Sequence, residues 1–331
     1  MKKALSTDLI LRQIRVNRFQ NGEVNRLLSL LESANKQIKK EILLTKAVES
    51  KARYRELSVQ LNEISRKLKE NIALELDNPE FIDEELNAME KILRKNGLAN
   101  YTTPNANTIR TAVQFTPFAN TANYESFLNA IQEGFYNVWD NALRTGYMTG
   151  ETTQKIVRNV MGAVAKNAQV ADRGLMARIR DSVERNTRTY LQSMATVTRE
   201  RVFLANASYF KGYQWVSTLD RRTCIVCGEL DGKLEQNIKD FDQPPLHYNC
   251  RCLILPVVKG MDEIETTRAS ENGQVDSKMD FESWLKEQPE EVQKEVLGKT
   301  RYDMYIKTGQ KIGQFVADNQ ILTIAELRKL Y

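Results

Sequence analysis

The chain has 331 residues, with 48 lysines and arginines against 43 aspartates and glutamates and a formal net charge of +5. A hydrophobic content of 41% with 27% charged residues fits a helix-rich globular chain, either two domains or one core with arms. No run reaches the roughly eighteen apolar residues of a membrane span, and Met1-Lys2-Lys3-Ala4-Leu5-Ser6-Thr7-Asp8 lacks the apolar stretch and cleavage site of a secretory leader, so a reducing cytoplasm, or a particle assembled there, is the expected setting.

Residues 1–20 alternate short apolar and basic stretches and give no assignment. From Glu23 a helix is predicted, with Leu27, Leu28, Leu31, Ile38 and Ile42 at helical spacing. A second is predicted from about Ala52 to Leu76. Its Tyr54, Leu57, Leu61, Ile64 and Leu68 follow the alternation of a coiled-coil seam until Asn71 breaks it. The two read as an antiparallel hairpin, either an arm or a helical subdomain folded onto the core. Asn78-Pro79 ends the second helix, and an acidic third follows to about Arg94. Residues 1–97 are therefore expected to form an N-terminal helical arm. Residues 98–124 are rich in Asn, Thr, Pro and Ala, with Phe115, Phe118 and Tyr124 interspersed. They show no helical period and read as an extended linker lying on a surface, either the protein's own or a partner's.

The core is expected over 125–258. Phe127, Leu128, Ile131, Phe135, Val138, Trp139 and Ala142 make a broad apolar helix face that suits core packing. Gly146 to Gly150 reads as a turn, and Thr152 or Thr153 as the cap of a helix carrying Ile156, Val160 and Val164. A long helix is predicted from about Ala171 past Val202, with Arg173, Arg178, Arg180, Arg185, Arg188, Arg199 and Arg201. Arg178, Arg185 and Arg188 fall near one face, as contacts to a nucleic-acid backbone require. The interleaved Asp172, Asp181, Glu184 and Glu200 favour ion pairs within the helix. Tyr213–Thr218 and Leu253–Val257 read as strands that pair. Residues 259–331 are expected to be a polar linker, over 260–278, and a short helical tail. In the tail Phe281–Gln288 is a helix before Pro289, and Thr323 and Glu326 have capping-box spacing. Gly298-Lys299-Thr300 is no phosphate loop, because Gln293 holds the position of the earlier glycine and no strand precedes it.

Between the two predicted strands lie all four cysteines and the single histidine. The spacing is Cys-x2-Cys, nineteen residues, then His-x2-Cys-x-Cys. Paired thiolates and an imidazole form a donor set that suits structural zinc. Such a site needs four donors and five are present. Cys224, Cys227, His247 and Cys250 are the expected ligands, with Cys252 as the alternative. Asp220, beside Arg222, either orients a ligand, accepts from Arg221 or Arg251, or serves as a turn residue. A disulfide or inert buried thiols are the competing readings. A catalytic zinc would need an open coordination position and a base such as Asp220, Asp231 or Glu229, and no second histidine helps it.

Together these motifs resemble the phage Mu protein F-like family of minor head, or head morphogenesis, proteins. The resemblance rests on Trp215, Asp220, Arg222-Thr223-Cys224 and Cys227. It rests also on Leu230-Asp231-Gly232, and on Pro245, His247, Cys250-Arg251-Cys252 and Pro256. It reaches upstream into helices from about Glu125, and downstream to Trp284-Leu285 and Leu297 to Arg301. It implies a mainly α fold with a small β, zinc-knuckle-like module, and a non-enzymatic protein of the virion interior that associates with the portal and other capsid or scaffold proteins. It further implies action in head assembly and in DNA packaging or ejection, with no small-molecule substrate and no membrane. By position Cys224, Cys227, His247, Cys250 and Cys252 would form the family's metal cluster, with Asp220 and Arg222 beside it. Two other readings stay open: a structural module binding double-stranded DNA, and a zinc-dependent nuclease or toxin-related effector. The second is weakened by a tail without histidine.

Overall fold

The computed structural model describes residues 4–119, 123–162, 174–260 and 267–330. Of these residues 66% are helical, with small sheets between. The N-terminal helices are α1 (Ala4–Ile42), α2 (Lys51–Leu76), α3 (Pro79–Lys95) and α4 (Ala106–Phe115). There follow α5 (Tyr124–Thr149), α6 (Thr153–Met161) and α7 (Ala177–Ala205). The cysteine module runs through strand β1 (Phe210–Val216), helix α8 (Ile225–Leu230) and strands β2 (Leu234–Glu235) and β3 (Leu253–Val258). The tail holds β4 (Thr267–Ser270), β5 (Gly273–Asp276), α9 (Phe281–Lys286), α10 (Glu290–Leu297) and α11 (Lys299–Thr308). It ends with β6 (Val316–Ala317), β7 (Gln320–Ile321) and α12 (Ile324–Leu330). Two compact units result, one of residues 17–81 with 114–191, the other of 1–16, 82–113 and 192–331.

The first of these units is a helical bundle. Arg26 of α1 pairs with Glu75 of α2, and Arg53 donates to the carbonyl of Glu41, so α1 and α2 run antiparallel. This hairpin packs along α5: Tyr54 Oη donates to Asp140, Lys69 Nζ to Glu125 and Asn129, and Tyr124 Oη to the carbonyl of Ala73. The buried stripe of α2 is Leu57, Leu61, Ser65, Leu68, Ile72 and Leu76. It continues past Asn71, where the sequence suggested a break, because Asn71 faces solvent and Ile72 takes up the spacing. Phe127, Leu128, Ile131, Phe135 and Trp139 of α5 are all buried, and Trp139 Nε1 donates to Asn35 Oδ1 at 2.8 Å.

Helix α1 starts at Ala4, nineteen residues before the expected Glu23. Its early buried positions include Arg12, Gln13, Gln20 and Glu23 among Leu5, Leu9, Val16 and Val24. Polar side chains at core positions hide the apolar period there. Within the expected linker, 98–124, α4 is helical. Asn105 Oδ1 accepts from the amides of Asn107 and Thr108, and only Ile109 and Val113 are buried. Phe115 is 75% exposed while Phe118 packs edge-on to Phe127. The expected turn at Gly146 is the last turn of α5, since the chain reverses at Gly150 with φ +66°. Gly146 has another cause: a Cβ there would lie 2.2 Å from Cδ1 of Ile156. Thr152 caps α6, whereas Thr153 Oγ1 donates to the carbonyl of Thr45. Val164 and the predicted helix start over 171–173 lie outside the described residues.

In the other unit the sheet has the order β2-β1-β3, all antiparallel, with Val216 opposite Leu253 and Gln214 opposite Leu255. The two predicted strands therefore pair, though β1 starts at Phe210. The described part of the expected linker over 260–278 holds the β4–β5 hairpin. Beyond it Phe281, Trp284, Leu285, Leu297, Tyr305, Phe315 and Leu327 form a small core with Leu219 and Ile225 of the cysteine module. Gly228 makes that contact possible, since a Cβ there would meet the Phe281 ring at 2.2 Å. Gly298 is the junction of α10 and α11. Thr323 and Glu326 cap α12 reciprocally, through bonds from Thr323 N to Glu326 and from Glu326 N to Thr323 Oγ1.

Candidate metal centre

Two short turns and the start of a strand bring the donors together. After β1 the loop reaches Cys224, whose sulfur accepts the Cys227 amide at 3.4 Å and caps α8. That turn sets two sulfurs side by side. The second pair sits on a turn in which the Cys250 amide donates to the carbonyl of His247 at 3.1 Å. Asn249 takes φ +61°, a left-handed conformation that asparagine tolerates. Cys252 then stands at the mouth of β3, whose pairing with β1 returns the chain to the first pair.

The donors lie in two overlapping groups that share Cys227, and the expected four do not fall in a single group. His247 Nε2 lies 3.1 Å from Cys224 Sγ and 3.2 Å from Cys227 Sγ. Cys227 Sγ lies 3.8 Å from Cys250 Sγ. A tetrahedral centre with metal–sulfur bonds of about 2.3 Å has sulfur–sulfur edges of about 3.8 Å. Cys224, Cys227 and His247 form one group with donor atoms mutually within 4.8 Å, and Cys227, Cys250 and Cys252 form another. All four cysteines are free thiols, and all but Cys224 are fully buried. His247 Nδ1 lies 2.8 Å from the Tyr248 carbonyl, which fixes the proton on Nδ1 and leaves Nε2 facing sulfur, as a ligating imidazole requires. A hydrogen bond from Cys227 brings the Cys224 thiol down to about 5, against burial. Burial opposes charge on His247, yet Cys224 and Cys250 push it up to about 11. Cys250 is lowered as well, while Cys227 and Cys252 are raised, so negative charge is favoured on two of the four sulfurs, facing a charged imidazole. This donor set can hold a metal ion, which would take the place of the Nε2 proton.

Residues 137–255 match the family described as Phage Mu protein F like protein. That stretch of the chain is similar to phage Mu protein F-like proteins. The match spans the later turns of α5 through to β3 and so contains all five donors. It points to phage head morphogenesis and to other capsid proteins as neighbours. No curated protein and no solved structure matches the chain. No helix among the described residues is long and apolar enough to cross a membrane.

The Mu F-like module surrounds its donors with polar groups of unequal use. Asp220 does not reach the sulfurs. It accepts two bonds from Arg251, one at 2.7 Å, and the Arg222 amide at 3.0 Å. Arg251 is therefore turned to Asp220, bracing the Cys250–Cys252 segment against the loop before Cys224. The Arg222 side chain is 78% exposed and adds to its amide bond only a long ion pair with Asp220, at 3.9 Å. Arg221 goes instead to Glu271. Arg178 and Arg185 are exposed on α7, while Arg188 is tied to Glu184 and Asn21.

Two residues escaped the sequence reading. Ser217 accepts from Trp215 Nε1 at 2.9 Å and from the Cys252 thiol at 3.5 Å, and donates to the carbonyl of Cys227. Arg268, in the expected linker, is buried and bonds Asp231 with both Nη atoms, at 2.9 and 3.1 Å, along with the carbonyls of Ser217 and Met279. Asp231 in turn accepts the Ser217 amide at 2.7 Å. A lone arginine in a polar stretch carries no periodic signal that could have found it.

Proposed function

We propose that this is a minor structural protein of a tailed-phage head, built around a zinc-stapled module, that joins the portal to neighbouring capsid or scaffold proteins during assembly and DNA packaging or ejection. The observation that carries the reading is the meeting of five soft donors inside the stretch with family likeness. Zinc suits them because it takes sulfur and nitrogen ligands in a closed tetrahedral site. Cys224, Cys227, His247 and Cys250 would hold the ion, with Cys252 as the exchangeable fifth donor. A bound zinc would hold the β1–α8 turn and the β3 mouth together, where the apolar core is small. Structural metal of this kind contributes roughly 10 kcal/mol or more to a small module. The role is structural rather than enzymatic. Cys227, Cys250 and Cys252 are buried and Cys224 and His247 partly so, while Asp220 and Asp231 are both committed to arginines.

The protein would act in the virion interior after assembly in the host cytoplasm. DNA contact by Arg178, Arg185 and Arg188 is the weaker second reading, because the acidic residues interleaved along α7 offer ion pairs within the helix, as Glu184 does to Arg188. The test is elemental analysis of purified protein with free-thiol counting, joined to incorporation of a Cys224→Ser variant into heads. One zinc per chain, lost in the variant together with head incorporation, is the expected result. Metal-free protein that assembles normally would overturn it.

A further inference from the structure

Behind the Cys250–Cys252 segment runs a line of buried polar side chains that neither the ligand set nor the family match accounts for. Arg199 Nη1 donates to Gln13 Oε1 at 2.5 Å, Gln13 Nε2 to Gln192 Oε1 at 2.7 Å, and Gln192 Nε2 to the carbonyl of Cys252 at 3.1 Å. Its far end is anchored on Glu85, which accepts from Arg199 Nε at 2.6 Å and from Arg12 Nε at 2.7 Å. Glu85 is fully buried, and Gln13, Gln192 and Arg199 are each at most 4% exposed. Burying so many polar groups is costly unless they are bonded in fixed places, as these are except for Arg199 Nη2, which has no partner among the described residues. Each amide accepts from the neighbour nearer the cation and donates toward the cysteine, so the bonds polarise one another in one direction.

From this geometry we infer that Gln192, supported by Gln13 and Arg199, is a positioning residue for the metal centre, and that it couples ion binding to the packing of α1, α3 and α7. The inference rests on the metal reading above. Gln192 fixes the backbone carbonyl of Cys252, two residues from Cys250, at the point where β3 begins. With that carbonyl held, the sulfurs of Cys250 and Cys252 face Cys227. Without it the segment gains freedom that ion binding must remove. Groups that orient ligands in this way change metal affinity about 10- to 100-fold when lost. Coupling is reciprocal, so bound metal should also firm up the helices that carry the relay.

The test uses the full chain with cobalt(II) as a spectroscopic probe and zinc in competition with a chelator. Gln192→Met keeps side-chain length and removes both bonds. Gln13→Met, one step further away, serves if Gln192→Met does not fold. Asn206→Ala is the control: Asn206 is buried just past the end of α7, and its amide bonds the carbonyls of Thr102 and Val202. Both relay variants should bind one ion with affinity about 10- to 100-fold weaker. Their melting temperature should rise less on zinc addition than that of the parent, while the control keeps the full rise. Relay variants within twofold of the parent, or a control equally weakened, would overturn the inference. A parent chain that binds no metal would overturn the metal reading itself, and that result is told apart because it precedes any comparison of variants.

Discussion

In the bundle of residues 17–81 and 114–191 the interior is mostly carbon: Leu27, Leu31, Leu61, Ile72, Phe135 and Trp139 are each buried to the last percent or so. In the cysteine module three of four thiols are buried together with Asp220, Asp231, Ser217 and Thr223. The first region gains its stability from area removed from water, which is non-directional and tolerant of repacking. The second is held by directed bonds, each of which needs a partner in one place. The lesson is that the two regions should fail differently. One should weaken by increments as side chains shrink, while the other should lose its order when one donor goes.

Removing the metal is the widest way to separate them. Chelation, or Cys227→Ser, should cost the module roughly 10 kcal/mol of apparent stability, read as early loss of hydrogen-exchange protection over residues 210–258. Protection in these amides unchanged by chelator would erase the contrast. Next comes Trp139→Ala in the bundle, expected to cost about 3–5 kcal/mol through the cavity it leaves. That loss, measured by denaturant unfolding, should be the same with and without chelator. Arg268→Met should cost a similar ~3–5 kcal/mol by leaving Asp231 buried without its cation. Burial alone already pushes the Asp231 carboxyl up despite Arg268. The companion double variant Arg268→Met with Asp231→Asn should recover part of the loss. Failure to recover would mean that packing, not the unpaired charge, sets the cost.

The difference between the regions also explains what the residues alone could disclose. The stripes of α2 and α5 were legible because their buried positions are apolar at helical spacing. The five donors were legible because such residues are few and crowded. The first turns of α1 were not, since Gln20 and Glu23 also hold core positions there, and Arg12 and Gln13 do so on the strength of partners far along the chain. Helix α4 was hidden for a related reason: two buried side chains are too few to mark a period. Arg268 and Gln192 act through long-range bonds, among them those at 37 and 60 residues of separation. No local pattern encodes a bond of that kind, which exists only once the fold has brought its ends together.

The smallest expected effect belongs to Asp220, and it tests whether directed bonds matter even where they do not touch a donor. Burial would raise its carboxyl, yet the bonds and charge of Arg251 hold it below the ordinary 3.8. The folded form therefore binds its proton less readily than the unfolded chain does. The stabilisation is complete above about the unfolded value and drains away as pH falls through the lower folded one. Asp220→Asn should cost about 1–2 kcal/mol at neutral pH, the range for a hydrogen bond to a charged group. Its stability should also fall less steeply than the parent's below pH 4 or so. Parallel acid limbs for the two proteins, followed by thermal unfolding, would show that Arg251 is oriented by something other than this carboxylate. The brace between the two halves of the donor set would then have to be sought in Ser217.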